Sequence, residues 1–297
     1  MKEKLQGIVR KGLTLISPRL NTKICYRVKF GKTLNLNNPE TFDEKILYLK
    51  LKDFETNDLV RKCADKYRVR EYIEQCGCNE ILVNLIASYD SVDDIEWDKL
   101  PQKFAMKLNV GCGCNIICTD KTELDIDNCK RKLNKWINKK HYLGYSEMQY
   151  KNIQPKILVE EYLDDGSGIL PVDYKIACFN GKAEYLMVCV GRETGCASYY
   201  YFDRNWNVMH LEKNENLDLE HNFKKPDCLE ELFEYADILA KPFAFVRTDF
   251  YIVNNKIYFG ELTFTPSGGM DTDLTDETEA YFGRMIDINY CQNPNYI

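Results

Sequence analysis

The chain has 297 residues, of which 44% are apolar, with 40 basic and 46 acidic side chains giving a formal net charge of −6. That length buries a full core and suffices for two lobes, while the acidic balance argues against nucleic acid as a partner. Thirteen cysteines, an odd number without a CxxC pair or a secretory leader, read as free thiols in a reducing cytoplasm, and no apolar run is long enough to cross a bilayer.

The charge is unevenly spread. Residues 1 to 34 hold nine Lys or Arg against Glu3 alone, a net +8 that leaves −14 for the rest. With Leu5, Ile8, Val9, Leu13, Leu15 and Ile16 this segment reads as a basic amphipathic helix. Two outcomes are open for it, a peripheral contact with an anionic membrane or packing on the acidic body of the protein, and packing is the expected one.

From Asn38-Pro39 the pattern becomes regular. Thr41 or Asn38 caps a helix that buries Ile46, Leu47, Leu49 and Leu51. A second helix is expected from Asn57 to Gln75. Phe104 to Leu108 reads as a strand, with Ile116 to Thr119 as its return and Gly111-Cys112-Gly113 between them. Lys107 alternates with Phe104, Met106 and Leu108, so it faces away from the core. There it is placed to neutralise a phosphate while the glycine loop offers backbone amides. A charged helix follows over Lys121 to Asn138.

The remainder is mostly sheet. Lys156 to Leu163 is a strand, Asp164 to Pro171 a linker, and Val172 to Phe179 and Ala183 to Gly191 flank Asn180-Gly181, a strong hairpin signal. Tyr199 to Asp203 and Trp206 to Leu211 add strands, and a helix is expected from Asp227 to Lys241. Antiparallel strands with helices to one side give an α+β class.

The last hairpin carries the chemistry. Phe245 to Tyr251 and Lys256 to Thr263 are apolar strands that nevertheless contain Arg247, Asp249 and Glu261. Buried charges are costly unless paired, so a divalent cation and a polyphosphate are expected to complete the balance, with the carboxylates as hard oxygen ligands and Arg247 on phosphate. The alternative is that these charges are solvated on an open sheet face. Parity decides the geometry: a plain two-residue turn at Asn254-Asn255 would put Asp249 and Glu261 on opposite faces. An odd loop or a bulge is therefore expected to bring them opposite each other.

In order, Asn38-Pro39-Glu40-Thr41-Phe42, Asp65-Lys66-Tyr67, Asp173-Tyr174-Lys175 with Phe179-Asn180-Gly181-Lys182, Arg247-Thr248-Asp249-Phe250-Tyr251 and Gly260-Glu261-Leu262-Thr263-Phe264 resemble the TupA-like branch of the ATP-grasp superfamily. That branch is associated with teichuronopeptide and surface polysaccharide biosynthesis. The resemblance implies an ATP-grasp fold with a helical N-terminal region (1–60) and an ATP-grasp domain (61–297), split into a first lobe with a lid loop (61–155) and a second lobe with a metal site (156–297). ATP lies between the lobes.

It further implies that Lys107, Gly111 and Gly113 cover the phosphates and that Glu160, Glu161 and Leu163 form an adenine hinge. Asp173 would meet the ribose and Lys175 and Arg192 would supply cations. Asp249 and Glu261 would hold magnesium, two ions in number, with Thr263 where the superfamily usually has Asn. Arg247 would stabilise transferring charge, and Gly268 and Gly269 would offer amides to an oxyanion. The implied reaction is carboxylate-amine ligation through an acyl phosphate, on an acidic sugar or peptide, in the cytoplasm or at the inner face of the membrane. A kinase acting on a hydroxyl and a non-catalytic nucleotide-binding module are the rival readings.

Overall fold

A computed structural model describes residues 2–166, 170–191, 197–213 and 223–290. Two helices open the chain, α1 (Lys2–Ile16) and α2 (Pro18–Phe30). Ser17 accepts from the Leu20 amide at 3.2 Å, Pro18 starts α2, and Gly31 (φ 67°) ends it in the left-handed region. The expected packing of α1 on the body does form, and polar groups make it. Thr14 donates to the Leu143 carbonyl at 2.9 Å, and Asn21 bonds Thr14 and Ser146, each at 2.9 Å. The helix face carrying Thr14 is inward, which turns Ile8, Val9, Leu15 and Ile16 outward.

Helix α3 (Phe42–Lys52) is capped by Thr41, which accepts from Glu44, and buries Ile46, Leu47 and Leu49 as expected. The single helix expected over Asn57 to Gln75 is instead two, α4 (Asp58–Ala64) and α5 (Val69–Gln75). Asp65 breaks it: its Oδ1 accepts from the Tyr67 amide at 2.8 Å and from the Asn109 side chain at 2.9 Å, a local turn that competes with the helix.

The first sheet contains β1 (Leu85–Tyr89), β2 (Phe104–Leu108), β3 (Asn115–Cys118) and β4 (Ile157–Glu161) in the order β1-β4-β2-β3, all antiparallel. Phe104, Met106, Leu108, Ile157 and Val159 bury one face together with Leu133 of α6 (Ile126–Ile137). That helix starts later than expected because Asp125 caps it. Strand β1 was not foreseen. Because β4 pairs with both β1 and β2, the break between the sheets falls after residue 161, not after 155.

The second sheet has β5 (Asp173–Phe179), β6 (Lys182–Val190), β7 (Ser198–Asp203), β8 (Val208–Met209), β9 (Phe245–Val253) and β10 (Lys256–Thr263) in the order β10-β9-β5-β6-β7-β8. The strand expected over Trp206 to Leu211 shrinks to two residues, since Trp206 takes φ 67° and stacks on Phe202. Helix α7 (Leu229–Ala240) covers one face with Leu232, Phe233 and Ala236, and α8 (Asp276–Met285) packs on α3 through Phe282 and Phe42. The opposite face of β5, β9 and β10 looks toward the first sheet. The eleven described cysteines are all free thiols, and ten of them are wholly or partly buried.

Candidate active site

A cavity of about 360 Å³ lies between the two sheets. Its wall on the second lobe comes from the last hairpin. Asn254 and Asn255 both have positive φ (51° and 60°) and close a two-residue turn, so Val253 faces Lys256. On its own that turn would separate the carboxylates. The register then shifts between Phe259 and Glu261, where Gly260 is the extra residue of a bulge, and Glu261 comes to face Asp249 while Thr263 faces Arg247. The bulge, not the loop, solves the parity problem. Glycine is required there because a Cβ would stand 2.9 Å from the Asp249 carbonyl oxygen.

Since β9 also pairs with β5, Glu261, Asp249 and Lys175 form one row across three strands. Lys175 Nζ lies 2.7 Å from Asp249 and 2.9 Å from Asp173. Arg247 grips Asp249 with Nε and a terminal nitrogen, each at 2.7 Å, and reaches Thr263 Oγ1 at 3.3 Å. Thr263 in turn donates to Glu261 at 3.4 Å. Glu261 Oε2 receives Lys66 at 2.8 Å. Burial alone would raise the Glu261 pKa, but Lys66, with Arg247 and Lys175 beyond, holds it down to about 2. Burial would likewise lower Lys175, and Asp249 outweighs it, so its pKa is raised.

The first lobe supplies the opposite wall. Lys107 faces the cavity as its alternation required, and its Nζ meets Glu160 Oε2 at 2.6 Å, with Arg70 3.8 Å from the other oxygen. Glu160 is thus a partner of Lys107 in this arrangement. Of the other hinge groups, the Glu161 amide is already donated to the Asn84 carbonyl at 3.0 Å, and Leu163 lines the cavity. Gly111 and Gly113 take φ 79° and 67° in the β2–β3 loop. A Cβ on Gly111 would run into the ring of His141. Asn109 fixes the base of the loop, donating to Asp65 and to the Gln154 carbonyl and accepting from the Lys156 amide.

Gly268 and Gly269 do not offer amides to an oxyanion, because their N–H groups donate to the Thr265 and Pro266 carbonyls at 2.9 and 2.7 Å. The fully buried Lys50 further ties this turn by donating to the Gly268 and Tyr145 carbonyls. Arg192 lies outside the described residues.

Lys66 was missed as a site residue. The break after α4 presents it to the cavity, where it bridges Glu261 and the Gly111 carbonyl (3.0 Å), linking the second-lobe acid to the first-lobe loop. The Asp65-Lys66-Tyr67 triplet was its signal, hidden by reading residues 57–75 as one helix. Around Asp173, Asp249 and Glu261 stand three cations, Lys66, Lys175 and Arg247, so the acids are charge-balanced. Among the described residues no group of three or more His, Cys, Asp or Glu side chains converges on a metal position. Two hard carboxylates fit a divalent ion only if phosphate oxygens and water complete its shell, which makes metal and nucleotide joint ligands.

A family model described as TupA-like ATPgrasp matches residues 44–287. None of the curated proteins matches significantly. Among solved structures, the chain is similar to the D-alanine–D-alanine ligase of Bacillus anthracis complexed with ATP (15% identity, TM-score 0.47, 78% of this chain and 65% of that one). Other similar structures are the D-alanine–D-alanine ligase of Helicobacter pylori (16%, 0.42, 84% and 70%) and the N5-carboxyaminoimidazole synthetase of Staphylococcus aureus complexed with ADP (13%, 0.40, 69% and 45%). The chain spans less than two thirds of the length of the Bacillus anthracis ligase.

Proposed function

The chain belongs to the TupA-like ATP-grasp family, and from that premise we propose that it is an ATP-dependent ligase joining a carboxylate to an amine through an acyl phosphate. The support is the Gly260 bulge, which sets Asp249 and Glu261 face to face on the cavity wall among Arg247, Lys175 and Lys66. Solvated decoration would not need that register. Asp249 and Glu261, with Thr263 beside them, would hold magnesium, whose contribution is to neutralise and align the phosphate oxygens.

The chain's own groups would act as follows. Lys66, Arg247 and Lys175, now paired with Glu261 and Asp249, would turn to phosphate oxygens once those carboxylates served as metal ligands. A substrate carboxylate oxygen attacks the γ-phosphorus as the bond to the ADP oxygen breaks, and Arg247 and Lys175 stabilise the charge spread over the transferred group. An amine then attacks the acyl carbon, loses a proton, and phosphate leaves. The glycine loop with Lys107 would shield the acyl phosphate from water. Asp173 and Leu163 both line the cavity; Asp173 would meet the ribose and Leu163 would border the adenine.

The acceptor we infer is an acidic sugar or peptide of a surface polysaccharide precursor, on the strength of the family resemblance. Oxygen-18 in the substrate carboxylate tests the reaction class. A ligase moves one labelled oxygen into the released phosphate, whereas a kinase acting on a hydroxyl releases none.

A further inference from the structure

The first two helices are not used by the site, and their outer surface has an order that packing does not explain. On α2 the residues four apart form two parallel rows. Arg19, Lys23 and Arg27 make one, Leu20, Ile24 and Val28 the other, and all six are exposed, Val28 at 74%. Helix α1 adds Ile8, Val9, Leu15 and Ile16 on the side away from the body, with Ile16 at 78% and Leu15 at 69%. The inner side of α2 is already packed, with Cys25 and Tyr26 against Leu47 and Met270, so the apolar stripe left open on the outer side calls for a covering partner.

The charges indicate which one. Basic side chains that turn toward the protein are used by it: Lys29 donates to the Met270 carbonyl at 2.8 Å and Lys32 pairs with Asp276 at 3.3 Å. Arg19, Lys23 and Arg27 meet no carboxylate among the described residues, and α2 contains no acidic residue at all. A second copy docked by two-fold symmetry would bring these basic rows together and be repelled. A soluble polyanion would leave the apolar row uncovered. A surface with negative headgroups above an acyl layer satisfies both rows together. No described helix is long and apolar enough to cross a membrane, so the pair would lie in the interface.

We propose that α1 and α2 form a docking face for an anionic lipid bilayer, with the apolar row and the outer residues of α1 entering the headgroup boundary and Arg19, Lys23 and Arg27 on the phosphates and carboxylates above. This stands independently of the ligase reading. The test is co-sedimentation of the full chain with phosphatidylcholine vesicles, plain or containing about a third phosphatidylserine. Binding should be at least about tenfold tighter to the anionic vesicles and should weaken in high salt. The triple change Arg19→Glu, Lys23→Glu, Arg27→Glu should abolish it, and Leu20→Ser, Ile24→Ser, Val28→Ser should reduce it, both with unaltered melting temperature. Equal binding to both vesicles, or none, overturns the proposal without recourse to any variant. So does a concentration-dependent dimer that the three serine changes dissolve, since the occupant is then another copy.

Discussion

Replacing Lys66 with methionine isolates the link between the two lobes, because methionine keeps the length of the stem and removes only the charge. The ammonium lies 2.8 Å from Glu261 and 3.0 Å from the Gly111 carbonyl. At an effective dielectric of about 20 the gross attraction to Glu261 is about 6 kcal/mol. Desolvation takes back most of it, and with Glu261 31% exposed a net contribution of about 1–2 kcal/mol remains. Without nucleotide, the variant should melt a few degrees lower. Its affinity for magnesium-ADP should hold or rise, because Glu261 no longer has a resident competitor for the metal. Affinity for magnesium-ATP should fall about tenfold relative to ADP, the worth of one charge-assisted hydrogen bond to the γ-phosphate. Calorimetric titration with both nucleotides reads this ratio directly. An unchanged ATP-to-ADP ratio would refute the role given to Lys66, whatever the melting temperature does.

Gly260→Ala should cost about 1–3 kcal/mol in denaturant unfolding, since the new Cβ meets the Asp249 carbonyl at 2.9 Å and backbone cannot yield as a side chain can. It should also weaken magnesium-dependent nucleotide binding by loosening the register. Lys107→Ala should weaken ATP binding about tenfold with or without magnesium, because its place is beside the glycine loop and not among the metal ligands. A pH effect should come from the start of α8. Burial pushes Glu279, whose Oε2 accepts from the Asp43 amide, up to about 7 from 4.5. Between those values the folded chain keeps a proton that the unfolded chain has lost, so stability falls as pH rises through that window. Burial beside Glu279 raises Asp43 as well, so Glu279→Gln should lessen the fall in melting temperature over that range and raise it above neutral pH.

Much of the hairpin was legible because strand periodicity fixes faces: charged residues two apart in an apolar strand had to share a side, and parity demanded an irregularity. Its location was less accessible. Asn254-Asn255 drew attention as the adjustable element, yet two asparagines at positive φ make an ordinary tight turn, and the irregularity sits six residues on at a lone glycine. Lys107 followed from alternation alone. Lys66 escaped because a helical reading averages over a short break, and the break depends on Asp65 bonding to Asn109, some forty residues away. The same limit applies to Gly268 and Gly269, whose amides are consumed by a turn that Lys50 anchors from α3. In α1 the apolar spacing gave the helix correctly but not which face turns inward, since Thr14 and Asn21 find buried partners near Ser146.

The central claim is that Asp249 and Glu261 together hold the metal of a bound nucleotide. Titrating ATP by calorimetry with and without magnesium, into the native chain and into Glu261→Gln, tests it most directly. The native chain should bind at least about tenfold more tightly with magnesium, and the variant should lose that gain while keeping its weaker metal-free binding. A magnesium-dependent gain of the same size in both would contradict the account.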